Sequence, residues 1–232
     1  MKTIGLLGGM SWESTLSYYK AINEGIKEKL GGLNSAKLCL YSVNFDEIEK
    51  LQHQGKWNET ADILSQAALS VEKGGADFIL ICTNTMHKVA PQIENNISIP
   101  ILHIADATAE KLLENNISKV GLLGTTFTME QGFYKGRLTE KFGIDVIVPA
   151  EDDRQKVHDI IYQELCRGEI RDSSRSIYIE IINKLREQGA EAVILGCTEI
   201  ALLVKQQHTD VPLFDTTAIH AEAAVRLAID DH

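Results

Sequence analysis

At 232 residues, with 44% hydrophobic and 24% charged positions, the chain has the composition of a globular protein of one large domain or two smaller ones. That balance excludes a disordered chain, and no apolar run approaches the roughly 18 residues that would span a bilayer. A formal net charge of −10 argues against nucleic acid as a partner, because phosphate binding needs a basic face, and it leaves room for a small anionic substrate.

The first ten residues, Met1 to Met10, have an apolar core too short and too rich in glycine for a signal peptide, so a cytoplasmic location is expected. Lys2–Leu7 reads instead as a buried strand, followed by the turn Gly8-Gly9-Met10-Ser11 and an apolar-periodic helix over Ser14–Leu30, with Ser11 or Ser14 as N-cap. Lys37–Val43 predicts a second strand. Helical patterning runs from Phe45 to Gln54 and again from Glu59 to Lys73, where Gly74-Gly75 stops it. Phe78–Cys82 is a third strand, and Thr83 opens the turn into a short helix over His87–Asn95. After Pro100 come a fourth strand, Ile101–Ile104, and a helix over Asp106–Asn115.

The pattern then starts again. Lys119-Val120-Gly121-Leu122-Leu123-Gly124 mirrors Thr3-Ile4-Gly5-Leu6-Leu7-Gly8, with Gly121 lying 116 positions after Gly5. A helix is expected over Gln131–Phe142, a strand over Asp145–Val148, and helices over Arg154–Arg167 and Ser173–Gln188. Gly189-Ala190 begins a second copy of Gly75-Ala76 at an offset of 114, which sets Ala192–Leu195 against the third strand and Cys197 against Thr83. Val211-Pro212-Leu213 echoes Ile99-Pro100-Ile101 at an offset of 112, and a last helix covers Thr217–Ala228.

Continuously apolar strands alternating with helices imply mainly parallel sheets flanked by helices, with ligands bound outside the carboxyl ends of the strands. The three echoes predict two pseudo-symmetric α/β domains: residues 1–103 with 216–232, and residues 104–215. Their site would lie in the cleft between them, fed by the Thr83 turn on one side and the Cys197 turn on the other.

Cys197 follows a buried strand at an expected helix N-terminus, where backbone N–H groups and the helix dipole would favour a thiolate and make it a base or a nucleophile. Thr198 and Glu199 follow it, and Glu199 is placed to hydrogen-bond the thiol or a bound ammonium. In the mirrored turn stand Thr83, Asn84 and Thr85, suited equally to capping a helix and to binding. Strand alternation points Cys82 away from the direction of Thr83, toward packing. His87 either orients a site group or faces solvent.

Gly8-Gly9-Met10-Ser11 lacks both the GxGxxG spacing and a Walker lysine, so nucleotide binding is not expected. With its counterpart Gly124-Thr125-Thr126, it offers small residues and N–H groups to a ligand bearing carboxylates. Gln52 and Lys56, after the second strand, either reach the ligand or are solvated. Cys39 and Cys166 read as packing residues, and the four widely spaced cysteines form neither a disulfide framework nor a zinc motif.

Together, Gly8-Gly9-Met10-Ser11 with Ser14-Thr15 and Tyr18-Tyr19, Asn84-Thr85 with His87, and Gly196-Cys197-Thr198-Glu199 resemble the aspartate/glutamate racemase family in order and over the full length of the chain. The resemblance implies two pseudo-symmetric domains around a cleft and an isomerase that needs neither pyridoxal phosphate nor metal. It further implies a homodimer, and one cysteine from each domain acting as acid and base on opposite faces of the substrate Cα. Carried onto this chain, it makes Cys197 the second-domain cysteine, gives Asn84 and Thr85 the substrate α-carboxylate, and assigns Met10 and Ser11 to the first-domain loop. Glu199, where a histidine would mark the glutamate branch, resembles the aspartate branch.

Thr83 departs from the pattern, standing where the family has its first-domain cysteine. The chain is therefore expected to racemise aspartate or glutamate with Cys197 as one acid/base and Thr83 in place of the second. The competing expectations are a single-cysteine decarboxylase or isomerase of a small dicarboxylate, and a non-catalytic protein that captures an acidic metabolite.

Overall fold

The computed structural model describes residues 1–229, in two compact units: Met1–Ile104 with the chain from His220 onward, and Ala105–Ile219. The chain thus leaves the first unit at Ile104 and re-enters it at His220, where the sequence suggested 103 and 216. Residues 230–232 of the expected first domain lie outside the described residues.

The first unit begins β1 (Ile4–Gly8), α1 (Trp12–Leu30), β2 (Leu38–Ser42), α2 (Phe45–His53), α3 (Trp57–Lys73) and β3 (Phe78–Ile81). A 3-10 turn over Thr85–Val89 then runs into α4 (Ala90–Glu94), where the sequence suggested a single helix over 87–95. The strands form a parallel sheet in the order β2-β1-β3.

Alternation along these strands decides which side chain meets which helix. Ile4 and Leu6 of β1, with Phe78, Leu80 and Cys82 on or just after β3, pack against Tyr18, Ile22 and Ile26 of α1. Leu7, Ile79 and Ile81 pack on the other face, against Ala61, Leu64, Ala68 and Val71 of α3. Both faces are covered, as a parallel sheet requires.

α5 (Ile104–Glu114) leads into the second unit, which contains β4 (Lys119–Gly124), α6 (Thr126–Glu130), α7 (Gly132–Phe142), β5 (Asp145–Ile147), α8 (Glu151–Gln163), α9 (Asp172–Glu187), β6 (Ala192–Gly196), α10 (Ile200–Leu203) and β7 (Leu213–Asp215). α11 (Thr216–Ile229) starts here and ends in the first unit, where Ala221, Ala224, Val225 and Ala228 join the α1 side of the core. The sheet is parallel in the order β5-β4-β6-β7. The helix expected over 154–167 is instead α8 followed by a separate 3-10 turn, Leu165–Arg167.

The internal echo is visible bond by bond. The Asp77 carboxylate accepts the Thr3 N–H at 2.6 Å, and its counterpart Glu191 accepts the Lys119 N–H at 2.8 Å. Ile79 donates its N–H to the Pro100 carbonyl at 2.9 Å, and Val193 donates to that of Pro212 at 2.8 Å. Val193 is in register with Leu213 on a full strand, whereas Ile79 meets Ile101 in an isolated bridge. The fourth strand expected at Ile101–Ile104 is thus reduced to that bridge. Leu102 still donates to the Ile79 carbonyl, but the Ile104 N–H turns to the His87 ring at 3.2 Å and α5 starts there. No helix among the described residues is long and apolar enough to cross a membrane.

Candidate active site

In the first unit the carboxyl ends of β2, β1 and β3 lie side by side, with Gly8 opposite Ser42 and Leu7 opposite Ile81. The loop after β1 turns sharply at Gly9, whose φ is +91°. A Cβ there would lie 2.3 Å from the Val43 carbonyl oxygen, so no larger residue fits without moving backbone. The Gly9 N–H donates to Thr15 Oγ1 at 2.8 Å, and that hydroxyl donates to the Ser11 carbonyl at 3.0 Å. Ser11 Oγ in turn accepts the Ser14 N–H at 3.4 Å and caps α1. Ser14 Oγ donates to the Cys82 carbonyl at 2.9 Å. This chain of bonds stitches the Met10-Ser11 loop to the residue immediately before Thr83.

Thr83 is partly exposed, while Met10, Ser11, Asn84 and Thr85 around these strand ends are buried. Gln52 is also buried, on α2, so it is not the solvated side chain that was one of its two readings. Lys56 is half-exposed and pairs with Glu59 at 3.5 Å. Cys82 is wholly buried on the face packed by α1 and α11, and desolvation holds its thiol far above the ordinary range. His87 does not face solvent; it is 1% exposed, with Nδ1 at 2.8 Å from the Thr83 carbonyl oxygen.

In the second unit β4 and β6 end together, Gly124 opposite Gly196, so Thr125 and Cys197 are the first residues beyond the paired strand ends. The Thr125 hydroxyl accepts the Thr128 N–H at 3.3 Å and starts α6, a helix that the sequence reading did not include. The Thr126 N–H donates to His158 Nδ1 at 3.2 Å. Thr198 and Glu199 are buried, and Cys197 is partly covered.

The expected thiolate is not what this turn favours. Cys197 Sγ donates its proton to Glu199 Oε2 at 2.9 Å. Its pKa is raised well above the ordinary thiol value, by burial first and then by the Glu199 carboxylate. Two physical facts outweigh the helix-dipole argument. The helix that follows, α10, is a single turn of four residues, too short to build a useful dipole. A carboxylate in direct contact with the sulfur also opposes a second negative charge there. Tyr178 of α9 feels the same surroundings: its buried hydroxyl donates to the Val157 carbonyl at 3.1 Å, and its pKa is pushed well up by burial and by the acidic groups around Cys197.

Cys197 and Glu199 thus form a hydrogen-bonded pair with the proton held on sulfur. Among the described residues no three His, Cys, Asp or Glu side chains come together as a possible metal site.

A solved structure from Yersinia pestis, provisionally assigned as an Asp/Glu racemase, is 58% identical, with a TM-score of 0.93 over 99% of this chain and all of that one. An aspartate racemase homologue from Pyrococcus horikoshii OT3 is 38% identical, with a TM-score of 0.86 over 98% of this chain and 99% of its own. The broad specificity amino-acid racemase RacX of Bacillus subtilis is 23% identical over 96% of both chains. The family model for Asp/Glu/Hydantoin racemase matches residues 7–224, a span that includes both turns and the Cys197–Glu199 pair. The chain belongs to the Asp/Glu/Hydantoin racemase family.

Proposed function

We propose that this chain is a cofactor-independent racemase of acidic amino acids, aspartate or glutamate, that removes and returns the Cα proton. Cys197 is one acid/base, and Thr83 takes the second position. The observation that carries this reading is the Cys197–Glu199 contact of 2.9 Å at the carboxyl end of β6, where parallel sheets present ligand-binding groups. Glu199 accepts the thiol proton, the freed thiolate takes the Cα hydrogen, and the Thr83 hydroxyl delivers a proton to the opposite face before recovering one from water. Asn84 and Thr85, with Met10 and Ser11, hold the α-carboxylate and stabilise the enediolate that forms on it. Gln52, Thr125, Thr126 and Thr198 complete the contacts to the substrate.

A threonine hydroxyl is a ready proton donor and a poor base, so the two faces are unequal. The enantiomers have the same free energy, which forces equal kcat/KM in the two directions. The inequality therefore appears elsewhere: the enantiomer whose hydrogen faces Cys197 exchanges that hydrogen with solvent faster than it inverts. The aspartate named for the Pyrococcus horikoshii homologue supports an acidic substrate, and the breadth named for RacX supports testing others beside it.

The test is a panel of D- and L-amino acids in heavy water without added cofactor, followed by chiral chromatography and NMR at Cα. Inversion of aspartate or glutamate with deuterium at Cα is expected; an acidic panel that neither exchanges nor inverts overturns the reading. The protonated state of Cys197 favours one alternative, proton delivery to an enediolate left by decarboxylation. Carbon dioxide released from a malonate-type substrate, without racemisation, would establish that alternative instead.

A further inference from the structure

We infer that His87 is the positioning residue for the Thr83 side of the reaction, clamping the Thr83 turn through a single imidazole tautomer; the inference rests on the racemase reading above. The argument begins with hydrogen atoms. The Ile104 N–H donates to His87 Nε2 at 3.2 Å, so that nitrogen carries no proton. The proton of the neutral ring is therefore on Nδ1, 2.8 Å from the Thr83 carbonyl oxygen, to which it donates. Both ring nitrogens are committed, one to the residue proposed as the second acid/base and the other to the first residue of α5.

The ring cannot rotate away. It is 1% exposed, and the rings of His103 and His220 lie 4.5 Å and 5.9 Å from it, centroid to centroid. His220 is fixed by the same logic: its Nε2–H donates to the Leu102 carbonyl at 2.7 Å, so Nδ1 accepts from the Tyr18 hydroxyl at 2.8 Å. The turn is also closed along the main chain, where the His87 N–H donates to the Asn84 carbonyl at 3.1 Å. The direction of the Thr83 Cα–Cβ bond, and with it the reach of the hydroxyl, is set by this clamp. The bonds from His87 to Thr83 and Ile104 and its ring contacts with His103 and His220 all lie within the first unit, on the Thr83 side of the proposed reaction.

Two isosteres separate the two ring nitrogens. The amide of His87→Asn falls near the Nδ1 position and can still donate to the Thr83 carbonyl. That of His87→Gln falls near the Nε2 position and serves Ile104 while leaving Thr83 unclamped. Exchange of Cα hydrogen in heavy water and inversion by chiral chromatography are measured for aspartate and glutamate, each enantiomer separately. His87→Gln is expected to keep the faster, Cys197-side exchange near the wild-type rate and to lower inversion by about 100-fold, the cost of displacing a reacting group by about 1 Å. His87→Asn is expected to keep the wild-type ratio of exchange to inversion.

Equal loss of exchange and inversion in His87→Gln, or an unchanged ratio, overturns the inference while leaving racemisation standing. A wild-type chain that exchanges nothing overturns both. Nitrogen-15 NMR of the wild-type imidazole needs no variant to fold: a proton on Nδ1 alone is expected at neutral pH, and a proton on Nε2 overturns the assignment.

Discussion

Gly9 and Gly75 provide a matched pair for measuring how tightly the Met10-Ser11 loop is built. Their φ values are nearly equal, +91° and +90°, so alanine carries the same left-handed penalty at both, about 1–2 kcal/mol. They differ only in space. A Cβ at Gly75 meets nothing within 4 Å, whereas one at Gly9 lies 2.3 Å from the Val43 carbonyl oxygen and 2.6 Å from the Val43 nitrogen. Relief of that clash means moving the end of β2 and losing the 3.0 Å bond from the Val43 N–H to the Gly8 carbonyl, worth a further ~1 kcal/mol beyond the strain of the shift itself. Gly75→Ala should therefore cost about 1–2 kcal/mol and Gly9→Ala about 2–4 kcal/mol. Both tryptophans, Trp12 and Trp57, belong to the first unit, so their fluorescence during urea unfolding reads that unit alone. Only Gly9→Ala should also lower turnover. Equal destabilisation by the two substitutions would refute the reasoning, because the clash would then add nothing to the φ penalty.

Glu199→Gln should move two readouts in opposite directions. Without the carboxylate beside the sulfur the Cys197 thiol ionises more easily and is alkylated faster at a given pH, followed by mass spectrometry of its peptide. Turnover, having lost its proton acceptor, falls by about 10²-fold or more. Slower alkylation would contradict the assigned cause of the raised pKa. Cys197→Ala should abolish both exchange and inversion, and retained activity would remove the thiol from the reaction. Thr83→Cys should raise inversion toward the exchange rate; if the ratio stays as in the wild type, Thr83 does not occupy the second position.

His220 supplies a prediction in pH. Burial pushes its pKa down to about 3, below the roughly 6.5 of an unfolded chain. The unfolded state thus binds the proton first, and His220 contributes nothing to acid sensitivity above pH 6.5. Below it, stability is lost as pH falls toward 3, by about 1.4 kcal/mol per unit. The tryptophan-detected urea midpoint should drop between pH 7 and 5.5 by more in the wild type than in His220→Asn. Equal drops would remove His220 as the cause.

The alternation of strands and helices and the doubling of the pattern were legible because both rest on local signals, apolar runs and glycine stops. The face of Cys82 was legible for the same reason, since a period of two needs no tertiary information. What failed depended on partners distant in the chain or on a side-chain direction. The fourth strand ends early because the Ile104 N–H finds the imidazole of His87, 17 residues back, which no strand propensity encodes. The ionisation of Cys197 was misjudged because spacing alone does not say that Glu199 turns back onto the sulfur, or that the helix beyond it lasts one turn. His87 was ambiguous from sequence, as its surroundings come from His103, Ile104 and His220. A histidine four residues beyond Thr83, spaced to reach back over one helical turn, was the available signal.

The anchors that tie each first strand in place, Asp77 to Thr3 and Glu191 to Lys119, run through main-chain amides and carboxylates remote from positions 83 and 197. Each half of the molecule thereby holds its architecture independently of whichever reactive group it displays. A duplicated scaffold of this kind is open to redesign one position at a time, with new proton chemistry installed in either copy and no folding instruction rewritten.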